Sequence, residues 1–183
     1  MQEVSINKQM KLSQHFTLGE LCKTKHDTED GNIPSHVAIE NLKSICENWL
    51  EDLRYSYNML YVHSGVRPQS KVAGDCTLAP DPGAAPETEE PIIINSGYRS
   101  PAVNLLAGGA KTSNHLSGCA VDIRCVGKEQ MIRYASILVD IADGTKQDFD
   151  ELLLEQHGNV CWLHFAVRPP SQGNRRKIDF LKG

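Results

Sequence analysis

Two histidines and an aspartate in this chain have the types and spacing of a metal site. His115 and Asp122 stand together in Ser113-Asn114-His115-Leu116-Ser117-Gly118-Cys119-Ala120-Val121-Asp122, and His164 follows later in Cys161-Trp162-Leu163-His164-Phe165. Zinc in a hydrolytic site takes three protein ligands, usually His with one carboxylate, and keeps one position open. His115, Asp122 and His164 meet that specification. Two imidazoles and one carboxylate leave the ion positively charged, so it stays a Lewis acid. Zn2+ is therefore the expected cofactor. Gly118 and Ala120 are small and let the backbone turn tightly beside it.

Water at such a site needs a base. Glu155 is the choice, because it ends the strand that precedes the strand of His164 and can point to the same face. Asp150 and Glu151 are less well placed. An oxyanion or a substrate carboxylate needs a cation, and Arg99 in Ser96-Gly97-Tyr98-Arg99-Ser100-Pro101 can supply a bidentate guanidinium. Each residue also has a plainer reading. A single His is more often a surface group, Arg99 could serve only in a salt bridge, and Glu155 could be solvated. Asp122 is harder to dismiss, since a carboxylate within an apolar strand needs a partner. The combination carries the case.

The six cysteines contain no Cys-x-x-Cys pair. They read as free thiols, several of them buried. A rival chemistry would pair Cys119 or Cys161 with a histidine as a Cys-His hydrolase, sensitive to thiol alkylation and indifferent to chelators. His26, Asp27, Glu29 and Asp30 also cluster along the chain, but nothing apolar would hold them, so they read as a solvated loop.

Several elements must position these residues. Met1 to Lys11 reads as an arm or edge strand. Thr17 with Glu20 three residues on forms a capping box for a short helix, with Phe16 and Leu21 as a hydrophobic staple. Pro34 to Tyr57 reads as a helix burying Val37, Leu42, Ile45, Cys46, Trp49, Leu50 and Leu53. Leu60 to Val62 reads as a short strand. Gly65 to Pro91 is rich in Pro, Gly, Ala and Glu and reads as a mobile surface insertion. Ile92 to Ile94 reads as a buried strand, and Pro101 opens a helix that runs to Leu106 and is broken by Gly108-Gly109.

Thr112 to His115 reads as a loop. Ala120 to Cys125 reads as a strand with Ala120, Asp122 and Arg124 on one face. Lys128 to Asp143 reads as a helix burying Met131, Ile132, Ala135, Leu138, Val139 and Ala142, with Gly144 as its C-cap. Phe149 to Glu155 and Cys161 to Val167 read as a hairpin, and Gly173 onward as a basic, exposed tail. This order predicts an α+β fold, a mostly antiparallel sheet packed with helices, in one domain spanning residues 1–183.

Length and composition agree. The 183 residues allow one domain with a real core. A net charge of -4 and 6% aromatic residues give no electrostatic or stacking reason to expect nucleic acid. No apolar run is long enough to span a bilayer, and Met1 to Ile6 lacks a signal-peptide core. A monomer is expected.

Ser113-x-His115-x-x-Gly118-x-Ala120-x-Asp122 resembles the zinc-binding signature of the D-alanyl-D-alanine carboxypeptidase group of LAS metallopeptidases. Trp162-Leu163-His164 resembles the group's last ligand, and Ser96-Gly97-Tyr98-Arg99-Ser100 its arginine motif. Leu12 through Leu53 is similar to the N-terminal helices of the phage and bacterial single-domain branch. The likeness covers most of the chain and misses the insertion at about 65–91. It implies a hedgehog/DD-peptidase-like fold, zinc on His115, Asp122 and His164, and Arg99 in substrate binding or transition-state stabilisation.

The resemblance also implies hydrolysis of peptide bonds in peptidoglycan stem peptides next to a D-amino acid, as a carboxypeptidase or endopeptidase. Many members carry a catalytic Glu three residues before the last His, where this chain has Cys161. The related hedgehog signalling domain carries its Glu at the end of the preceding strand, as Glu155 stands in Phe149-Asp150-Glu151-Leu152-Leu153-Leu154-Glu155. An enzyme of this kind is expected to be cytoplasmic as synthesised and to reach the cell wall through a phage partner. The alternative is a non-catalytic zinc-binding module of a phage structure or of cell-wall binding.

Overall fold

The computed structural model describes residues 7–62 and 89–183. Residues 65–88 of the expected insertion, and with them Cys76, lie outside the described residues. Its last residues are pinned to a helix: Glu89 pairs with Arg54 at 2.6 Å, and the Glu90 amide donates to Asn58 Oδ1 at 2.7 Å.

The capping box at Thr17 forms as the sequence predicts and starts α1 (Leu18–Leu21), with Phe16 and Leu21 buried. Ser35 caps α2 (His36–Ile45), its hydroxyl accepting from the Ala38 amide at 3.2 Å. The helix continues through a π-helical turn at Cys46–Leu50 into α3 (Glu51–Tyr57) and a second π-helical turn at Asn58–Val62. Leu60 to Val62 is thus helical rather than a strand. The buried stripe holds as expected from Leu42 to Leu53, but Val37, the second residue of α2, is exposed.

Five strands follow: β1 (Ile94–Ser96), β2 (Ala120–Cys125), β3 (Glu151–His157), β4 (Val160–Ala166) and β5 (Lys177–Lys182). The sheet order is β1-β2-β4-β3-β5, antiparallel throughout except for the parallel β3–β5 pair. The α+β class is therefore as expected. The end of the chain differs: the segment read as an exposed tail supplies the fifth strand. Its side chains remain exposed, so no buried stripe marked it as a strand.

Between the strands lie α4 (Pro101–Leu106), capped by Ser100, and α5 (Gly127–Thr145). Helix α5 ends at Lys146 in the left-handed region (φ 59) rather than at Gly144, and Ile132 is exposed. Strand alternation sends Val121, Ile123, Leu163, Phe165 and Leu152 to the helical side, where all five are buried. Trp49 fills the layer between helix and sheet, its ring 5.0 Å from that of Phe165 and 6.4 Å from that of Phe149. Asp122, His164, Glu151 and Glu155 take the opposite face by the same alternation. Among the described residues no helix is long and apolar enough to cross a membrane.

Candidate metal centre

Strand register sets out the site. Ser96, Asp122, His164 and Leu153 are successive cross-strand partners on β1, β2, β4 and β3. Glu151 and Glu155 lie two residues to either side of Leu153 on the same face of β3, so they flank the row that carries His164. His115 comes from a short 3-10 turn, Asn114–Ser117, instead of the plain loop the sequence predicts. Ser113 caps that turn, and Gly118 ends it in the left-handed region at φ 70. A Cβ at Gly118 would also stand 2.4 Å from the Ala38 carbonyl oxygen, so helix α2 packs against a position that only glycine suits.

The three expected ligands converge and are buried. His115 Nε2 lies 3.2 Å from Asp122 Oδ1 and 3.2 Å from His164 Nδ1, and His164 Nδ1 lies 3.0 Å from Asp122 Oδ1. Zinc with ligands at about 2.0–2.1 Å in a tetrahedron spaces neighbouring donors by about 3.3 Å. The observed triangle is close to that size.

The proton bookkeeping also fits a cation. His115 Nδ1 faces the Gly97 carbonyl oxygen at 2.5 Å, an acceptor only, so in a neutral ring the proton sits on Nδ1. Nε2 then turns a lone pair toward a carboxylate oxygen and another ring nitrogen. Such an arrangement is relieved by a metal or by extra protons. His115, Asp122 and His164 form a group that could hold a metal ion.

The electrostatics follow from burial and crowding. Burial alone would raise the Asp122 carboxyl, but the charge and hydrogen bonds of His115 and His164 outweigh it and hold the group far below the ordinary range. Burial alone would lower the His164 imidazole, but Asp122 and Glu151 push it up to about 9. Arg99 sits beside this cluster. Its Nη2 donates to Asp122 Oδ2 and its Nε donates to Ser96 Oγ at 2.8 Å.

The backbone around Arg99 is fixed from several sides. The Arg99 amide donates to the His115 carbonyl at 3.1 Å, and the Tyr98 amide to Leu21 at 2.7 Å. Buried Asn32 accepts from the Ser100 amide at 2.7 Å and donates to the Tyr98 carbonyl at 3.3 Å. A Cβ at Gly97 would stand 2.4 Å from the Leu21 carbonyl oxygen. Gly97→Ala should therefore cost about 1–3 kcal/mol of stability and displace the carbonyl that orients His115. Denaturant unfolding of the variant checks the first effect, and zinc binding the second.

Glu155 lines the same cavity, of about 620 Å³, as Arg99, His115, Asp122 and His164. Among the described residues it forms no ion pair. Burial, then the Asp122 charge, raises its carboxyl pKa. A second cavity, of about 560 Å³, meets the first at Arg99, Asp122 and Trp162 and is lined beyond them by Lys23, Lys25 and His26. Glu151, read from sequence as less well placed, also reaches the site: its Oε2 lies 3.6 Å from His164 Nε2. Asp150 is fully buried and ties Asn114, Arg168 and Arg175 together. Only the equal parity of 151 and 155 hinted at Glu151, and nothing in the sequence pointed to Arg175.

The Cys-His alternative finds no geometry. Cys161 lies on the face of β4 opposite His164, against the core. Cys119 is buried with its thiol 3.8 Å from the Ser117 carbonyl, and burial raises its pKa.

Residues 86–151 match the family Peptidase M15. The matched stretch carries Arg99, His115, Asp122 and Glu151, while Glu155 and His164 lie beyond its end. No curated protein matches the chain. At the family level the M15 match supports a metallopeptidase of cell-wall type, and M15 peptidases are zinc-dependent in general.

Proposed function

We propose that the protein is a zinc-dependent peptidase that hydrolyses a bond of peptidoglycan stem peptides next to a D-amino acid. The observation that carries this reading is the triangle of His115 Nε2, Asp122 Oδ1 and His164 Nδ1, with the Glu155 carboxylate, free of ion pairs among the described residues, in the same cavity. His115, Asp122 and His164 would hold the zinc, which supplies a Lewis acid that makes water a nucleophile near neutral pH.

Glu155 accepts the proton as water attacks and returns it to the leaving amine. A carboxylate facing the cavity can take up a proton and give it back, as both tasks require. Arg99 keeps Asp122 Oδ2 engaged, which leaves Oδ1 turned toward the two imidazoles. With Nε and one Nη2 hydrogen occupied, both Nη1 hydrogens and the second Nη2 hydrogen are left for a substrate carboxylate or oxyanion. The cavities on either side of Arg99 give room for an extended peptide across the site.

The test is incubation of zinc-loaded protein with muropeptides and synthetic stem peptides, followed by chromatography and mass measurement of the products. Cleavage beside a D-residue, stopped by a chelator and restored by zinc, is expected. Release of a single C-terminal residue identifies a carboxypeptidase, and internal cleavage an endopeptidase. Intact substrates with zinc demonstrably bound would refute the peptidase reading.

A further inference from the structure

We infer that Glu151 is a positioning residue that fixes the outward ring nitrogen of His164, and that Arg175, returning from the C-terminal segment, holds Glu151 in place. The inference rests on the zinc site proposed above. His164 turns Nδ1 to the cluster, so Nε2 points away from it and must find an acceptor. Glu151 Oε2 lies 3.6 Å from that nitrogen, slightly beyond a direct hydrogen bond, so a small turn of the carboxylate or the ring closes it. A carboxylate on the far nitrogen of a ligand imidazole fixes its tautomer and ring angle and raises its basicity.

Glu151 is itself held from three sides. Arg175 Nη2 reaches its Oε1 at 3.0 Å, Lys177 Nζ lies 3.9 Å from the same oxygen, and Asn114 Nδ2 donates to Oε2 at 3.2 Å. Arg175 is anchored in turn, its Nε and Nη2 each donating to Asp150 at 2.7 Å. Asp150 is fully buried and is also held by Asn114 and Arg168. The chain of contacts thus runs from Asp150 through Arg175 and Glu151 to His164. The segment that leads into β5, the strand paired in parallel with β3, carries Arg175. Glu151 and Glu155 share one face of β3 but differ in company: the first is held by cations and an amide, the second faces the cavity with no ion pair among the described residues. That difference assigns ligand support to one and proton transfer to the other.

Zinc affinity, measured by competition with a chromophoric chelator on the full chain, tests this. Glu151→Ala should keep about one metal per chain at saturation but bind it about 10- to 100-fold more weakly. Glu151→Gln keeps an oxygen that can accept from Nε2 and should lose less. Arg175→Ala should shift affinity in the same direction as Glu151→Ala, and the visible absorption of the cobalt-substituted protein should change in both. Wild-type affinity in Glu151→Ala would overturn the inference. So would Glu151→Gln as weak as Glu151→Ala with a matching fall in the unfolding midpoint, which would assign a purely structural role. If the wild-type chain itself binds no zinc, the proposed site fails first and this inference falls with it.

Discussion

Glu155→Gln is expected to lower peptidase turnover by about 10²- to 10⁴-fold while zinc remains bound. The amide has nearly the shape of the carboxylate but cannot accept a proton near neutral pH. Glu155 lies outside the close triangle of His115, Asp122 and His164, so its loss should spare the metal. Burial, then the Asp122 charge, raises its carboxyl pKa. The measurement is kcat and kcat/KM on stem-peptide cleavage, with zinc content determined on the same samples. Loss of zinc together with turnover would make Glu155 a support of the metal site. Unchanged turnover would remove it from the chemistry. A wild-type protein that binds zinc and peptidoglycan but cuts nothing would instead fit a binding module.

Asp150→Ala should destabilise the fold by about 3 kcal/mol, near the low end for breaking a buried ion pair. Asp150 is fully buried and takes both Arg175 and Arg168, the latter at 3.0 Å, as well as Asn114 at 2.9 Å. Arg175 and Arg168 are partly exposed and can turn to water once the carboxylate is gone, which keeps the cost from the upper end. The link between the turn that carries His115 and the C-terminal segment would still be cut.

The same group sets a pH dependence. Burial alone would raise the Asp150 carboxyl, but hydrogen bonds from Arg175 and Asn114 and the Arg168 charge hold it below the ordinary range. A folded pKa below the unfolded one means that the stabilisation is complete above the unfolded value, near 4, and is lost as the pH falls through the folded value. The stability gap between wild type and Asp150→Ala should therefore be constant from neutral pH to about 5 and shrink below that. Urea unfolding across this range reads the gap directly. A gap that widens in acid would contradict the account.

Much of the site could be read from the chain because it rests on short-range rules. The alternation of Ala120 to Cys125 placed Asp122 on the face away from the apolar residues. The small Gly118 and Ala120 signalled a close backbone approach. Glu155 and His164 were read onto one face from a hairpin whose register is fixed by its turn.

What escaped depended on contacts between distant segments. Glu151 has the same parity as Glu155, but its role appears only once the His164 ring is oriented and Arg175 returns just ahead of β5. Strand β5 itself buries none of its side chains, so its sequence carried no stripe to recognise. Leu60 to Val62 has strand-like residues, yet it extends an existing helix through a π-helical turn, because adding to a formed helix avoids a new nucleus. Asn32, at φ 52 in the left-handed region, gave no signal that it would tie the N-terminal region to Tyr98 and Ser100.

Metal content tests the central claim most directly. Elemental analysis of protein purified without chelator, beside His115→Ala handled identically, should find about one zinc per wild-type chain and none retained by the variant. Folded wild-type protein that carries no zinc and cannot be loaded with it would contradict the account.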